Sequence, residues 1–182
     1  MASDTGIDYL KSIIKRWCHP EGLFMEFGVS SGSTIKRLAK FVPDIIYGFD
    51  SFEGLPEEWT GHGGMPKGSF RCDPPKELPA NVVIVKGLFQ DTLPGFLERH
   101  PGPVSFAHID CDLYSATKFV LGALVHRLDG AVLAFDEITG PECYELHEGK
   151  AFREFLSEAG YTAEFLGAQH DCGQVYRLSK ND

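Results

Sequence analysis

Three short apolar runs in this chain each stop on an aspartate. Asp50 ends Ile45-Ile-Tyr-Gly-Phe-Asp50, Asp110 ends Val104-Ser-Phe-Ala-His-Ile-Asp110, and Asp136 ends Ala131-Val-Leu-Ala-Phe-Asp136. Continuous rather than alternating apolar character marks strands buried on both faces of a parallel sheet. Neighbouring strands in such a sheet lie about 4.8 Å apart, so carboxylates at adjacent ends repel unless a cation joins them. Oxygen ligands favour Mg²⁺, Mn²⁺ or Ca²⁺ over zinc. Asp110, Asp136 and the adjacent Glu137 are the candidate ligands. A cation held there would acidify and orient a bound hydroxyl. Asp110 or His62 is the candidate base that takes the proton. Plainer roles compete: Asp112 as a helix cap near Ser115, Glu137 as a solvated loop acid, His108 as a core histidine. His147 and His170 have no motif context.

A fourth acid sits inside the first apolar run, in Glu26-Phe-Gly28-Val-Ser30-Ser-Gly32-Ser33-Thr34. Glycine there lets the backbone approach a ligand, and the helix that follows offers free N–H groups. A pyrophosphate turn has the spacing G-x-G-x-x-G. Here the spacing is Gly28-x-x-x-Gly32, with an acid two residues before the first glycine. Glu26 would repel a pyrophosphate but suits a cationic amino group, such as that of S-adenosylmethionine (SAM). Asp50 follows Glu26 by 24 residues, where an acid that binds ribose hydroxyls belongs. The alternative is a tight strand–helix turn with Glu26 merely solvated.

The elements that position these residues follow from the apolar pattern. Residues 8–18 have helical spacing, and a strand over 23–28 enters the glycine turn. A helix over 33–40 is expected, capped by Ser31 or Ser33. Strands are predicted at 45–50, 82–85, 104–110 and 131–136, and helices at 115–128 and 150–159. A closing pair of strands covers 161–166 and 174–178. Alternating strands and helices imply an α/β, doubly wound, mostly parallel sheet, with ligands at the strands' carboxyl ends. Residues 51–80 break the pattern with five glycines and five prolines. They are expected to form an active-site lid that carries Trp59, His62 and Phe70 and is mobile without ligand.

The chain's 182 residues suffice for a single domain over 1–182. A net charge of −9 without a basic stripe argues against nucleic acid as a partner. The longest apolar runs, such as 119–125, are too short to span a bilayer, and no basic-then-apolar leader is visible. The five cysteines are widely spaced without C-x-x-C, which suits reduced thiols in a cytoplasmic protein.

Four blocks resemble the macrocin O-methyltransferase family. They are Phe24–Thr34, Gly48-Phe-Asp-Ser-Phe-Glu-Gly-Leu-Pro56, Lys86-Gly-Leu-Phe-Gln-Asp-Thr-Leu-Pro94 and His108-Ile-Asp-Cys-Asp-Leu-Tyr-Ser-Ala-Thr117. The resemblance runs in order over residues 23–140, with the block around Asp50 the most specific. It implies a Rossmann-like seven-stranded sheet of the class I methyltransferase type, SAM as donor, and a sugar or related hydroxylated small molecule as acceptor. By position it assigns Glu26, Gly28, Ser30, Gly32, Ser33, Thr34, Asp50 and Ser51 to SAM, with Leu88 and Phe89 flanking adenine. It assigns Mg²⁺ (or Mn²⁺) to Asp110, Asp136 and Glu137, with Asp110 as base. Two departures are visible. Less chain precedes the first strand than the family usually has, which bears on acceptor cover and on the expected homodimer. Glu137 stands where Asp or Asn is commoner. Leu113 occupies the position at which catechol-type methyltransferases carry a lysine base, which favours a sugar over a phenol. The alternatives are a phenolic acceptor, a metal-dependent glycosyltransferase that uses Asp110-Cys-Asp112 as a D-x-D motif, and an inactive SAM-fold binding module.

Overall fold

The computed structural model describes residues 4–181. One seven-stranded sheet forms its centre, with strand order β3-β2-β1-β4-β5-β7-β6. The strands are β1 (Leu23–Phe27), β2 (Ile46–Asp50), β3 (Val82–Lys86), β4 (Val104–Ile109), β5 (Val132–Phe135), β6 (Tyr161–Ala168) and β7 (Gln174–Lys180). The first five run parallel, while β7 is antiparallel to both β5 and β6. This is the mostly parallel sheet that the apolar runs imply, in the Rossmann-like seven-stranded form that the family resemblance implies.

Every residue of β4 and β5 is buried, which explains their unbroken apolar character. Helices cover both faces. On one face α1 (Asp4–Trp17) and α2 (Ser33–Leu38) bury Leu10, Ile14, Ile35 and Leu38 against Phe24, Ile46, Phe106 and Val132. On the other, α3 (Phe89–Arg99), α4 (Tyr114–Leu124) and α6 (Glu148–Ala159) bury Phe96, Val120, Leu121 and Phe152 against Met25, Phe49, Leu133 and Phe135. Residues of opposite parity along one strand thus feed two separate cores.

Several expectations change in detail. Helix α1 starts at Asp4, earlier than the apolar periodicity indicates. The N-cap of α2 is Gly32 in a left-handed conformation (φ 78°), with no side-chain cap, so neither Ser31 nor Ser33 caps it. Two helices lay outside the sequence reading. Helix α3 carries Pro94 in its interior, a residue that removes a helical hydrogen bond. It nevertheless buries Leu93, Phe96 and Leu97, and tertiary packing of that stripe outweighs local propensity. The second, α5 (Pro141–Leu146), is a short helix that begins on a proline.

The segment 51–80 is folded back on itself. Trp59 and Met65 form an antiparallel bridge, Leu55 N–H bonds the Ser69 carbonyl at 2.9 Å, and Gly68 N–H bonds the Leu55 carbonyl at 2.9 Å. Leu55 and Trp59 belong to the same buried cluster as α4 and α6. Among the described residues no helix is long and apolar enough to cross a membrane.

Candidate active site

A cavity of about 400 Å³ opens at the carboxyl ends of β1, β2, β4 and β5. Its walls include Glu26, Gly28, Ser30, Ser33, Thr34, Asp50, Ser51, Leu88, Phe89, Asp110, Asp136 and Glu137. Leu55, Pro56, Trp59 and Phe70 of the 51–80 segment also line it. Two candidates stand apart. Gly32 does not line the cavity; a Cβ there would meet Pro75 at 3.0 Å, so its place is a left-handed turn packed under the 51–80 segment. The backbone of His62 lies in the 3-10 turn Gly61–Gly63, and its side chain is outside the described residues.

The sheet register builds the first half of the cavity. Glu26 pairs with Gly48 on one side and with His108 on the other. Glu26 is 1% exposed and His108 fully buried, with Glu26 Oε1 3.3 Å from His108 Nδ1. Neither Glu26 oxygen has a hydrogen bond, although the residue lines the cavity. The His108 ion pair offsets part of the cost of burying this carboxylate, and an ammonium group arriving from the cavity would offset more. Burial pushes the Glu26 carboxyl up, against the lowering effect of His108. Burial alone would lower His108, but the Glu26 contact prevails and raises it to about 9.

Gly28 (φ 92°) is demanded by packing. A Cβ there would sit 1.7 Å from the Asp110 carbonyl oxygen, so only glycine lets β1 and β4 leave the sheet side by side. Asp50 is largely committed to the backbone. Its Oδ2 accepts the N–H groups of Val29 (2.8 Å) and Ser30 (2.7 Å), and its Oδ1 accepts that of Phe52 (2.7 Å). A carboxylate has about four acceptor positions, so one remains open beside the cavity that Asp50 lines. Asp50 therefore shapes the glycine turn as well as lining the cavity.

The second half of the cavity is acidic. His170 Nε2 lies 3.0 Å from Asp136 Oδ1, and His108 Nε2 lies 3.9 Å from the same atom. Burial opposes the Asp136 charge, but the two histidines hold its pKa below the usual value. Asp110 goes the other way: burial, then the Asp136 charge, push it well up. Asp112 is pushed up to about 7 by burial and by Glu137 and Asp136. It does not cap α4, whose N-cap is Leu113 without a side-chain bond. Instead Asp112 lines the cavity with a left-handed backbone (φ 60°). Mutually repelling, oxygen-only side chains fit a hard divalent cation. Among the described residues, no three such side chains already stand at ligand spacing.

Other residues brace the site from behind its lining without any sequence signal. His170 arrives from the β6–β7 turn because β7 inserts beside β5. His147 Nε2 is hydrogen-bonded to Thr60 Oγ1 at 2.8 Å and so ties the 51–80 segment to the α5–α6 junction. Glu148, buried at the start of α6, binds the backbone after β4.

Residues 25–138 match a family described as a methyltransferase domain. The chain belongs to this family. Fold and family together make it a SAM-dependent methyltransferase. Its Asp110-Cys-Asp112 run is thereby part of a methyltransferase cavity and not a glycosyltransferase motif. The methyltransferase is similar to solved structures of CalS11. One, a calicheamicin methyltransferase, is 25% identical with a TM-score of 0.73, covering 94% of this chain and 76% of that one. The other, an apo form described as a TDP-rhamnose 3'-O-methyltransferase of calicheamicin biosynthesis, is 23% identical with a TM-score of 0.66, covering 95% and 79%. The O-methyltransferase NovP shares the fold at 18% identity and a TM-score of 0.69, over 97% and 80%. No curated protein sequence matches the methyltransferase.

Proposed function

We propose that this methyltransferase transfers the methyl group of SAM to a hydroxyl oxygen of a sugar or glycoside, with Mg²⁺ or Mn²⁺ held by Asp110, Asp136 and Glu137. The observation that carries the reading is one cavity with two chemistries. Glu26 faces it on the donor side, and Asp110, Asp136 and Glu137 face it on the acceptor side. Similarity to CalS11, described as acting on a TDP-linked rhamnose, supports a sugar acceptor. So does the resemblance to macrocin O-methyltransferases. Leu113 is 2% exposed and carries no base, which speaks against a catechol-type mechanism. The net charge of −9 favours a small-molecule acceptor over nucleic acid.

SAM supplies an electrophilic methyl on a sulfonium, and its departure leaves a neutral thioether. The cation, when bound, supplies Lewis acidity that makes the acceptor hydroxyl a better nucleophile. The protein's own residues do the rest. Glu26 holds the donor's amino group, and the turn from Gly28 to Thr34 with Asp50 and Ser51 holds its ribose. Leu88 and Phe89 flank the adenine. Ionised Asp110 takes the hydroxyl proton as the C–O bond forms and the C–S bond breaks. The 51–80 segment covers the reaction and excludes water through Leu55 and Trp59.

The test is an acceptor screen of sugars, glycosides and phenols, read by mass spectrometry as the gain of one methylene. Calorimetry against S-adenosylhomocysteine accompanies it. Asp136→Asn is expected to abolish turnover with S-adenosylhomocysteine affinity nearly intact, and EDTA to do the same. Full turnover in excess EDTA removes the cation from the proposal, and methylation of phenols alone removes the sugar.

A further inference from the structure

We propose that Glu148 is a positioning residue for the acceptor side: from the start of α6 it holds the loop after β4 in the conformation that keeps Asp110 beside Asp136. The inference rests on the acceptor-side reading of those two aspartates. Glu148 does not line the cavity and is 1% exposed, so it acts through the loop and not on a ligand. Its Oε1 accepts two consecutive backbone N–H groups, those of Cys111 at 3.1 Å and Asp112 at 3.2 Å. These two donors face inward at the point where β4 has ended and ladder partners have run out.

The loop they belong to is strained. Asp112 is a non-glycine residue at φ 60°, and Leu113 N–H closes back on the Cys111 carbonyl at 2.5 Å, across a three-residue turn. Turns of that kind with a positive central φ are rare and persist only where the surroundings over-determine them. Glu148 provides the determination from a second element, the start of α6, that is itself closely packed. A Cβ on the neighbouring Gly149 would come within 2.6 Å of the Tyr144 Cα and 2.9 Å of the Ile138 carbonyl, so the start of α6 is packed closely against α5 and the chain after β5. Asp110 immediately precedes the clamped pair, and its own N–H bonds the Phe27 carbonyl at 2.9 Å. The acid is thus held from β1 on one side and from α6 on the other.

Two variants separate positioning from other roles. Glu148→Gln keeps an acceptor oxygen for both N–H groups, and Glu148→Ala removes it. The expected result is that Glu148→Ala weakens Mn²⁺ binding, read by electron paramagnetic resonance, by about tenfold or more. It also loses hydrogen-exchange protection at the Cys111 and Asp112 amides, while S-adenosylhomocysteine affinity stays within about twofold of the parent. Glu148→Gln should keep both Mn²⁺ affinity and protection. Equal loss of Mn²⁺ in the two variants would make Glu148 a ligand through Oε2 and overturn the proposal. So would parent-like Mn²⁺ binding and protection in Glu148→Ala. A joint fall of Mn²⁺ affinity, S-adenosylhomocysteine affinity and melting temperature would show a merely structural role. If the parent protein itself takes up no Mn²⁺, the cation reading fails. The amide protection, read beside the S-adenosylhomocysteine affinity, then decides the positioning role alone.

Discussion

Gly28 and Asp112 both line the cavity, and both hold left-handed backbone conformations. For Gly28 the constraint is steric, because a Cβ would stand 1.7 Å from the Asp110 carbonyl oxygen. Gly28→Ala should therefore destabilise the protein by roughly 3 kcal/mol or more, read by denaturant unfolding. For Asp112 the constraint is electrostatic. Its pKa of about 7 in the fold lies above the ordinary carboxyl value of 3.8. Its charge is thus penalised in the folded state, and the stability it contributes below pH 4 is lost as pH rises toward 7 and beyond. Asparagine tolerates the same backbone conformation and has no charge. In EDTA, Asp112→Asn should be more stable than the parent by about 1–2 kcal/mol at pH 8, after discounting for solvent screening of this part-exposed group. The two proteins should converge near pH 4. Thermal unfolding across that range checks the sign, and an equal difference at both ends would contradict it.

At the scale of elements, the 51–80 segment and the α5–α6 corner act together. Thr60 is bonded to His147, and Ser115 Oγ donates to Glu57 on the same segment. We infer that these ties hold a lid that opens to admit ligands. Thr60→Val should then raise the rate of proteolytic cleavage within 55–70 about threefold to tenfold, consistent with loss of one part-buried hydrogen bond. S-adenosylhomocysteine should suppress the increase. An unchanged cleavage rate would show that Leu55 and Trp59, packed into the core, hold the segment without help. Helix α3 shows the same rule in another place. Its buried Leu93, Phe96 and Leu97 stripe keeps Pro94-Gly95 helical where local chemistry favours a break.

Across the whole molecule, the site exists only because strand ends from distant parts of the chain share one edge. Ligand binding should therefore report on global folding. Saturation with S-adenosylhomocysteine at about 100 times its dissociation constant is worth about 2.7 kcal/mol. For a chain of this size that predicts a rise in melting temperature of roughly 5–10 °C. Mg²⁺ should add to the rise by relieving repulsion among Asp110, Asp112 and Asp136. A rise with S-adenosylhomocysteine and none with Mg²⁺ would confine the result to the donor half.

The strands, their parallel arrangement and the acids at their carboxyl ends were readable from the residues themselves. Apolar runs, glycine turns and strand-final aspartates are local properties, and a parallel sheet has few ways to arrange them. Glu26, Asp50, Asp110 and Asp136 meet in one cavity for that reason. What the tertiary structure alone decided depends on partners far apart in sequence. Gly28 is needed because β4 runs beside β1. Asp50 is committed to the backbone because the glycine turn folds over it. His170 reaches Asp136 because β7 inserts antiparallel between β5 and β6. Glu148 reaches the loop after β4 because α6 packs against α4. Each of these contacts is set by strand order and helix packing, which no window along the chain contains.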